Sequence, residues 1–400
     1  MAYGQWVYAL FAWTVSAQRL AAALHTQPCV CPMNQRNTCL DQIKAVACLL
    51  IVGHHLAFYG PMSSVVQPII PGVMFWFEEY ARMAVQVFLV LGGYLAAGAL
   101  APQGVGKHVQ FWPVLGKRYV RLCIPYCAAL AFALVVNDTV QTLGFRHDSV
   151  SATPSLDSLV AHVLLLHSLG NWESISAGIW YVAIDFQLYA LCLMWFWLCR
   201  QHTERAWIGQ AGLGVATALS LWVWNLNTDL DIWALYFLGA YGLGAMAWWA
   251  THSAGRSQRT LWVLVMALLG ASALMLEWRT RIAVALVTAL VLAIGGNVRW
   301  SQAWRHWDCR PLSWVGERSY SIFLIHFPVS LLVNAEVTRN WPHSITANAL
   351  GMVLAVVLSI KAGAVMYEWT ERTSITWQRL RQWQMGALGT GLLATLSNLF

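Results

Sequence analysis

Residues 40–59 read LDQIKAVACLLIVGHHLAFY. An acid and a base stand at the start, an apolar run follows, and two adjacent histidines sit near its end. Twenty helical residues cover about 30 Å, the thickness of a bilayer's hydrocarbon core. Nine further stretches have a similar character, at 81–100, 119–136, 178–199, 209–226, 231–250, 260–276, 281–297, 313–334 and 345–369. The expected fold is therefore all-α, a polytopic membrane protein with about ten transmembrane helices. Composition agrees, since 58% of the 400 residues are apolar and only 10% are charged, against about 25% charged in a soluble domain. A soluble globular enzyme, a disordered chain and a disulfide scaffold are excluded. The 24 Trp suit the membrane–water boundary.

Charge sets an orientation. With the N-terminus in the cytoplasm, eighteen of the 24 Lys and Arg fall on the cytoplasmic side, five on the other, and Lys361 within the last span. That asymmetry predicts N-in and C-in. The net charge of +7 then reflects cytoplasmic loops, and no basic run is long enough to hold nucleic acid. Nine Cys include no CxxC pair, only Cys29 and Cys31 as CxC. We read Cys48, Cys123, Cys127, Cys192 and Cys199 as small buried hydrophobes rather than metal ligands.

The domain plan has three parts. Residues 1–32 form an N-terminal extension, either an interfacial helix or a stretch preceding a true start at Met33. Residues 33–371 form the transmembrane domain, with an outer loop at about 137–177. Within that loop, 156–169 is apolar enough to re-enter the membrane or lie on it. Residues 372–400 form a cytoplasmic tail, whose 386–400 part is too weakly apolar and too short to span.

Ionisable residues inside spans are expensive and so mark candidate sites. Lys44 and His55 are eleven residues apart, nearly the same helix face, about 16 Å along the axis. Asp41 neighbours Lys44 at i−3. One face thus carries a cation at the cytoplasmic entrance and an imidazole deep inside, and imidazole is the side chain suited to proton transfer near neutral pH. His54 points about 100° away and is read as a helix-to-helix hydrogen bonder.

At this point the sequence resembles the integral-membrane acyltransferase family 3. LDQIKAVACLLIVGHH (40–55) resembles its opening of a basic residue, ten residues, then His. VFLVLGGYLAAG (87–98) is similar to its second-span motif, and KRYVRLCIP (117–125) to its arginine-rich entry to the third span. WYVAIDFQLYAL (180–191) resembles its Trp, acid, Gln and Tyr motif. LSWVGERSYSIFLIHFPV (312–329) is similar to its Gly, Ser-Tyr and His-x-Pro motif. The matches occur in order over roughly 40–335. Three positions depart: Lys44 stands where Arg is commoner, Gly92 stands at the usual Ser, and Asp185 replaces the commoner Glu.

The resemblance implies a membrane O-acyltransferase in a bacterial cytoplasmic membrane. It would move an acyl group, acetyl from acetyl-CoA above all, to a hydroxyl of a cell-envelope polysaccharide or related acceptor, with partners in envelope biosynthesis. Acetyl-CoA is then a cosubstrate and no tightly bound cofactor or metal is implied. His55 would be the general base, with Asp185 and His326 orienting acceptor or imidazole. Lys44, Arg118, Arg121 and Arg318 would receive the donor. Arg118 and Arg121, three apart on the cytoplasmic rim, can face one site, and guanidinium pairs suit phosphates. Trp180, Tyr181, Gln187, Tyr189, Ser319 and Tyr320 would contact the acceptor, with Ser319 and Tyr320 as candidate oxyanion donors. Pro328 is expected to kink the helix beside His326. Direct transfer and a transient acyl-enzyme both stay open. A transporter or flippase without acyl-transfer chemistry is the alternative, since buried His and Asp between basic rims also fit a carrier.

Overall fold

A computed structural model describes residues 37–107, 110–200, 206–295 and 309–397. The expected N-terminal extension lies outside the described residues. Fifteen α-helices and no strands occur among the described residues. They are α1 (Thr38–Phe58), α2 (Pro61–Val66), α3 (Pro71–Glu79), α4 (Ala84–Leu100), α5 (Phe111–Thr142), α6 (Leu156–Val163) and α7 (Trp180–Cys199). Then follow α8 (Ala206–Trp222), α9 (Ala234–Thr251), α10 (Arg256–Leu276), α11 (Thr280–Gly295), α12 (Arg310–Glu317), α13 (Ser319–Asn340), α14 (Ile345–Thr370) and α15 (Trp377–Ser397).

Seven of the expected ranges fall on helices long and apolar enough to cross a membrane: α1, α3 with α4, α5, α7, α10, α13 and α14. The other three fall on α8, α9 and α11, of 17, 18 and 16 residues. The central helix is α13, with 83% of its apolar window buried, whereas α10 is peripheral at 17%. In water a surface helix hides its apolar face; here the outer faces of α10 and α14 are leucine and valine, as a lipid surface requires. Close approach depends on small residues. A Cβ on Gly93 of α4 would run into the Tyr241 carbonyl of α9, and one on Gly244 of α9 into the Val90 carbonyl of α4. Backbone-to-backbone seating of this kind is how helices associate in lipid.

Two stretches differ from expectation. α5 continues to Thr142, so the connecting segment starts later than residue 137. It then folds back along α5. The Ile175 carbonyl accepts from Asn137 at 3.4 Å, and the Val163 carbonyl accepts from the Tyr119 hydroxyl at 3.0 Å. Asn137 and Tyr119 are about 27 Å apart along the helix, so 156–175 lines most of a span.

The second is α15. The expected cytoplasmic tail is largely a helix, and it runs parallel to α5. Trp377 meets Gly116, Gln384 donates to Tyr119 at 3.1 Å, and Ala394 lies with Leu134 and Asn137. Leu380, Ala387, Gly391 and Ala394 recur at helical spacing and face α5 and α6, with Gly391 seated on Leu159. Gln, Gly, Thr and Ser dilute its hydropathy, yet small residues are what close packing uses.

Candidate active site

The first feature lies beside the proline in α13. Pro328 removes the amide that would bind the Leu324 carbonyl. Within the same turn, His326 sets its Nδ1 on the Phe323 carbonyl at 2.7 Å. That oxygen only accepts, so Nδ1 carries the proton and Nε2 of neutral His326 is a lone pair. His55 Nδ1 lies 2.6 Å from that Nε2. It must therefore donate, which leaves a lone pair on His55 Nε2. The two rings are parallel to within 1°, with centroids 5.0 Å apart. His326 is fully buried and His55 nearly so, walled by Tyr59 and Phe327. The relay fixes one tautomer and points one unprotonated nitrogen away from its partner. His54 bonds the Phe77 carbonyl at 3.2 Å, the helix-to-helix role expected of it.

Asp185 does not orient either imidazole. Its carboxylate takes the Arg118 guanidinium at 2.5 Å. Arg118 lies over Tyr189, 5.0 Å from the ring centroid, so Tyr189 supports the cation rather than standing free. Gly92 completes the cluster. A Cβ there would be 3.0 Å from Asp185 Oδ1 and 2.9 Å from the Tyr241 ring. The Tyr241 hydroxyl and Arg118 Nε are both buried without a partner. Arg121 and Lys117 are exposed, so Arg118 and Arg121 do not form the expected pair.

A cavity of about 340 Å³ lies among the connecting segment, α7 and the loop before α9. Trp180 lines it, packed on Phe237 at 5.6 Å between centroids. Gln187 donates to Ser168, another lining residue, at 2.9 Å. Burial pushes the Asp231 carboxyl at its mouth up from the usual range, against Arg281. The chain that enters α7 also touches the histidines: Gly178, two residues before Trp180, would place a Cβ 3.5 Å from His326 Cε1. Tyr181 packs edge-on against Phe323, whose carbonyl holds His326.

An acyltransferase domain family model matches residues 37–369. The chain belongs to that family. No curated protein and no solved structure matches it.

The acyltransferase domain thus ends before α15, and every feature above except α15 lies inside it. The residues expected to form the donor rim are placed differently. Arg318 bonds Glu317 at 3.1 Å and Glu368 at 3.3 Å, between the rings of Trp314 and Tyr367. A guanidinium already held by two carboxylates and two rings has little left for a phosphate. Lys44 pairs with Asp41 at 3.3 Å and stays partly exposed. Tyr320 donates to the Leu122 carbonyl at 3.0 Å, and Ser319 is buried where its carbonyl meets the Cys48 thiol. The Tyr320 hydroxyl is thus spent on α5 rather than offered to the histidine pair as an oxyanion donor. Residues that sequence reasoning did not single out are Phe323, Tyr241, Glu317, Glu368 and the His162–His167 stack. Of these, Phe323 had a signal in its place one turn before His326, and His162 and His167 in the length of the connecting segment that carries them.

Proposed function

We propose that this family member is a membrane O-acyltransferase with His55 as its general base, moving acetyl from acetyl-CoA to a hydroxyl of a cell-envelope polysaccharide or related acceptor. The observation that carries this reading is the relay Phe323 carbonyl, His326, His55, which leaves an oriented lone pair on His55 Nε2. An acceptor hydroxyl gives its proton to that nitrogen as its oxygen bonds the thioester carbonyl carbon. The C–S bond then breaks and the departing thiolate takes the proton back from the imidazolium. His326 accepts the His55 Nδ1–H throughout, so the charge that forms on His55 is hydrogen-bonded. No Ser, Thr or Cys side chain bonds His55 among the described residues, which favours direct transfer over a covalent acyl-enzyme.

The donor reading now rests on fewer residues. Arg121 and Lys117 carry exposed cations, and Lys44 a partly exposed one paired with Asp41, near the ends of spans facing the cytoplasm in an N-in arrangement. Arg118 and Arg318 hold carboxylates instead. The experiment is acetyl transfer from acetyl-CoA in membranes carrying the wild type, His55→Ala or His326→Ala. His55→Ala abolishes transfer while the protein stays folded. His326→Ala keeps the base but loses its orientation, and turnover drops within the about 10²–10⁴-fold typical of general base catalysis. Normal acetylation by folded His55→Ala would sink the mechanism.

A further inference from the structure

The cavity above Trp180 has an uneven charge. Glu173 and Asp231 line it, and no Lys or Arg does. The two nearby cations stand outside the lining: Arg281 lies over the Tyr236 ring at 4.9 Å and acts on Asp231 only through space, and Arg279 bonds Asn225 at 2.9 Å and the Leu221 carbonyl at 3.0 Å. Two carboxylates alone would only be a solvated patch. A second observation points to a ligand. His167 also lines the cavity, is only 1% exposed, and has no hydrogen-bond partner at either ring nitrogen. Buried polar atoms are nearly always satisfied, and an orphaned pair needs a reason.

His162 makes the demand more specific. Its ring stacks on His167 at 4.2 Å, within 4° of parallel. His162 donates from Nδ1 to the Ser158 carbonyl at 2.8 Å and accepts the Ile175 amide at Nε2, so it is neutral. Protonating His167 would place a cation against that face inside the fold, so His167 offers one N–H and one lone pair. A hydroxyl can meet either need. Trp180 and Phe237 supply flat apolar faces beside it. The volume lies at the low end of small-molecule pockets, about 300–1,000 Å³, which fits a single ring rather than a long chain.

We propose that this cavity seats the acceptor, and that it selects an uncharged or amine-bearing sugar ring against a phosphorylated or carboxylated one. The assignment rests on the acyltransferase reading above and deepens it. The sugar's hydroxyls meet His167, its ring lies along Trp180, and Glu173 with Asp231 repel an anionic substituent and attract an ammonium. Trp180 follows by two residues Gly178, whose Cβ position lies 3.5 Å from His326 Cε1.

The test uses the full-length protein in detergent micelles and saturation-transfer NMR. The probes are methyl glucoside, glucosamine and glucose 6-phosphate, each alone. The first two take up signal and glucose 6-phosphate does not. Trp180→Ala removes the signal. Glu173→Gln with Asp231→Asn, both at exposed side chains, narrows the gap between glucosamine and glucose 6-phosphate by about fivefold. Each variant is checked by its thermal melt. Equal binding of glucose 6-phosphate and methyl glucoside overturns the proposal. So does unchanged selectivity in the folded double acid variant. Binding is also read in His55→Ala, where it persists. Selective binding without acetyl transfer in the wild type would refute the chemistry alone, and transfer without selective binding would refute the pocket alone.

Discussion

Asp185→Asn is the most informative change to the interior. The substitution keeps shape and removes the charge that faces Arg118 at 2.5 Å. Breaking a buried pair by deleting one partner costs about 3–5 kcal/mol, because the other charge is left without compensation. The Arg118 side chain keeps 29% of its surface and Asp185 only 6%, so water can recover part of the stranded guanidinium. That argues for the low end, about 3 kcal/mol. Unfolding entropy near 2.1 cal/mol/K per residue gives about 0.8 kcal/mol/K over 400 residues. The expected fall in melting temperature is therefore about 4 °C. Arg118→Met strands the more deeply buried carboxylate and falls further. The double variant Arg118→Met with Asp185→Asn strands neither charge and melts higher than either single variant. Trp fluorescence of the detergent-solubilised protein follows all four, with 24 Trp as reporters. Additive losses in the double variant, or an unchanged melt for Asp185→Asn, would refute the reading of this pair as mutually compensating.

Other outcomes follow from the same geometry. Gly93→Ala forces a methyl into the Tyr241 carbonyl and parts α4 from α9, so folded yield collapses, whereas Gly255→Ala meets nothing within 4 Å and leaves yield within measurement error. Equal yields from the two would refute the seating of α4 on α9. Arg121→Ala raises the KM for acetyl-CoA several-fold with kcat retained; Arg318→Ala lowers the melting temperature and leaves KM alone, because its guanidinium serves Glu317 and Glu368. The opposite pattern in steady-state kinetics would return Arg318 to the donor site. A cysteine placed at residue 395 reacts with an impermeant maleimide from the same side as one placed at residue 146, since α15 runs parallel to α5; labelling from opposite sides would refute that packing.

The helical class was legible because lipid enforces it: apolar runs of about twenty residues have few other solutions. The histidines were legible as types, since an imidazole in a span is conspicuous. Their pairing was not. His55 and His326 are 271 residues apart, and no spacing rule reaches that far. For Asp185 the sequence offers either an imidazole or an acceptor hydroxyl as its partner, because chemistry and not position is visible there; the fold gives it Arg118. The same limit hid the acids around Arg318, for a basic residue at a cytoplasmic helix end looks alike whether its carboxylates are near or absent.

α15 shows why a packed helix reads as a tail in the sequence. A hydropathy window asks how apolar a segment is on average, while packing asks what one face presents. Gln384, Gly391 and Thr395 lower the average, yet Gln384 is spent on the Tyr119 hydroxyl, Gly391 seats Leu159, and the Thr395 hydroxyl bonds the Gly391 carbonyl at 3.0 Å. Each polar or small residue is satisfied by a neighbour or by its own helix, so lipid sees mainly Met385, Leu392, Leu393 and Leu396. A helix of this kind becomes an apolar surface only once α5 and α6 are in place beside it. The charge rule suffers in the same way. The basic residues at 379 and 381 mark the cytoplasmic start of α15 in an N-in arrangement, and a tail and a further span begin alike. α15 then runs along α5 from Trp377 at Gly116 to Ala394 beside Leu134, which the charges at its start do not reveal.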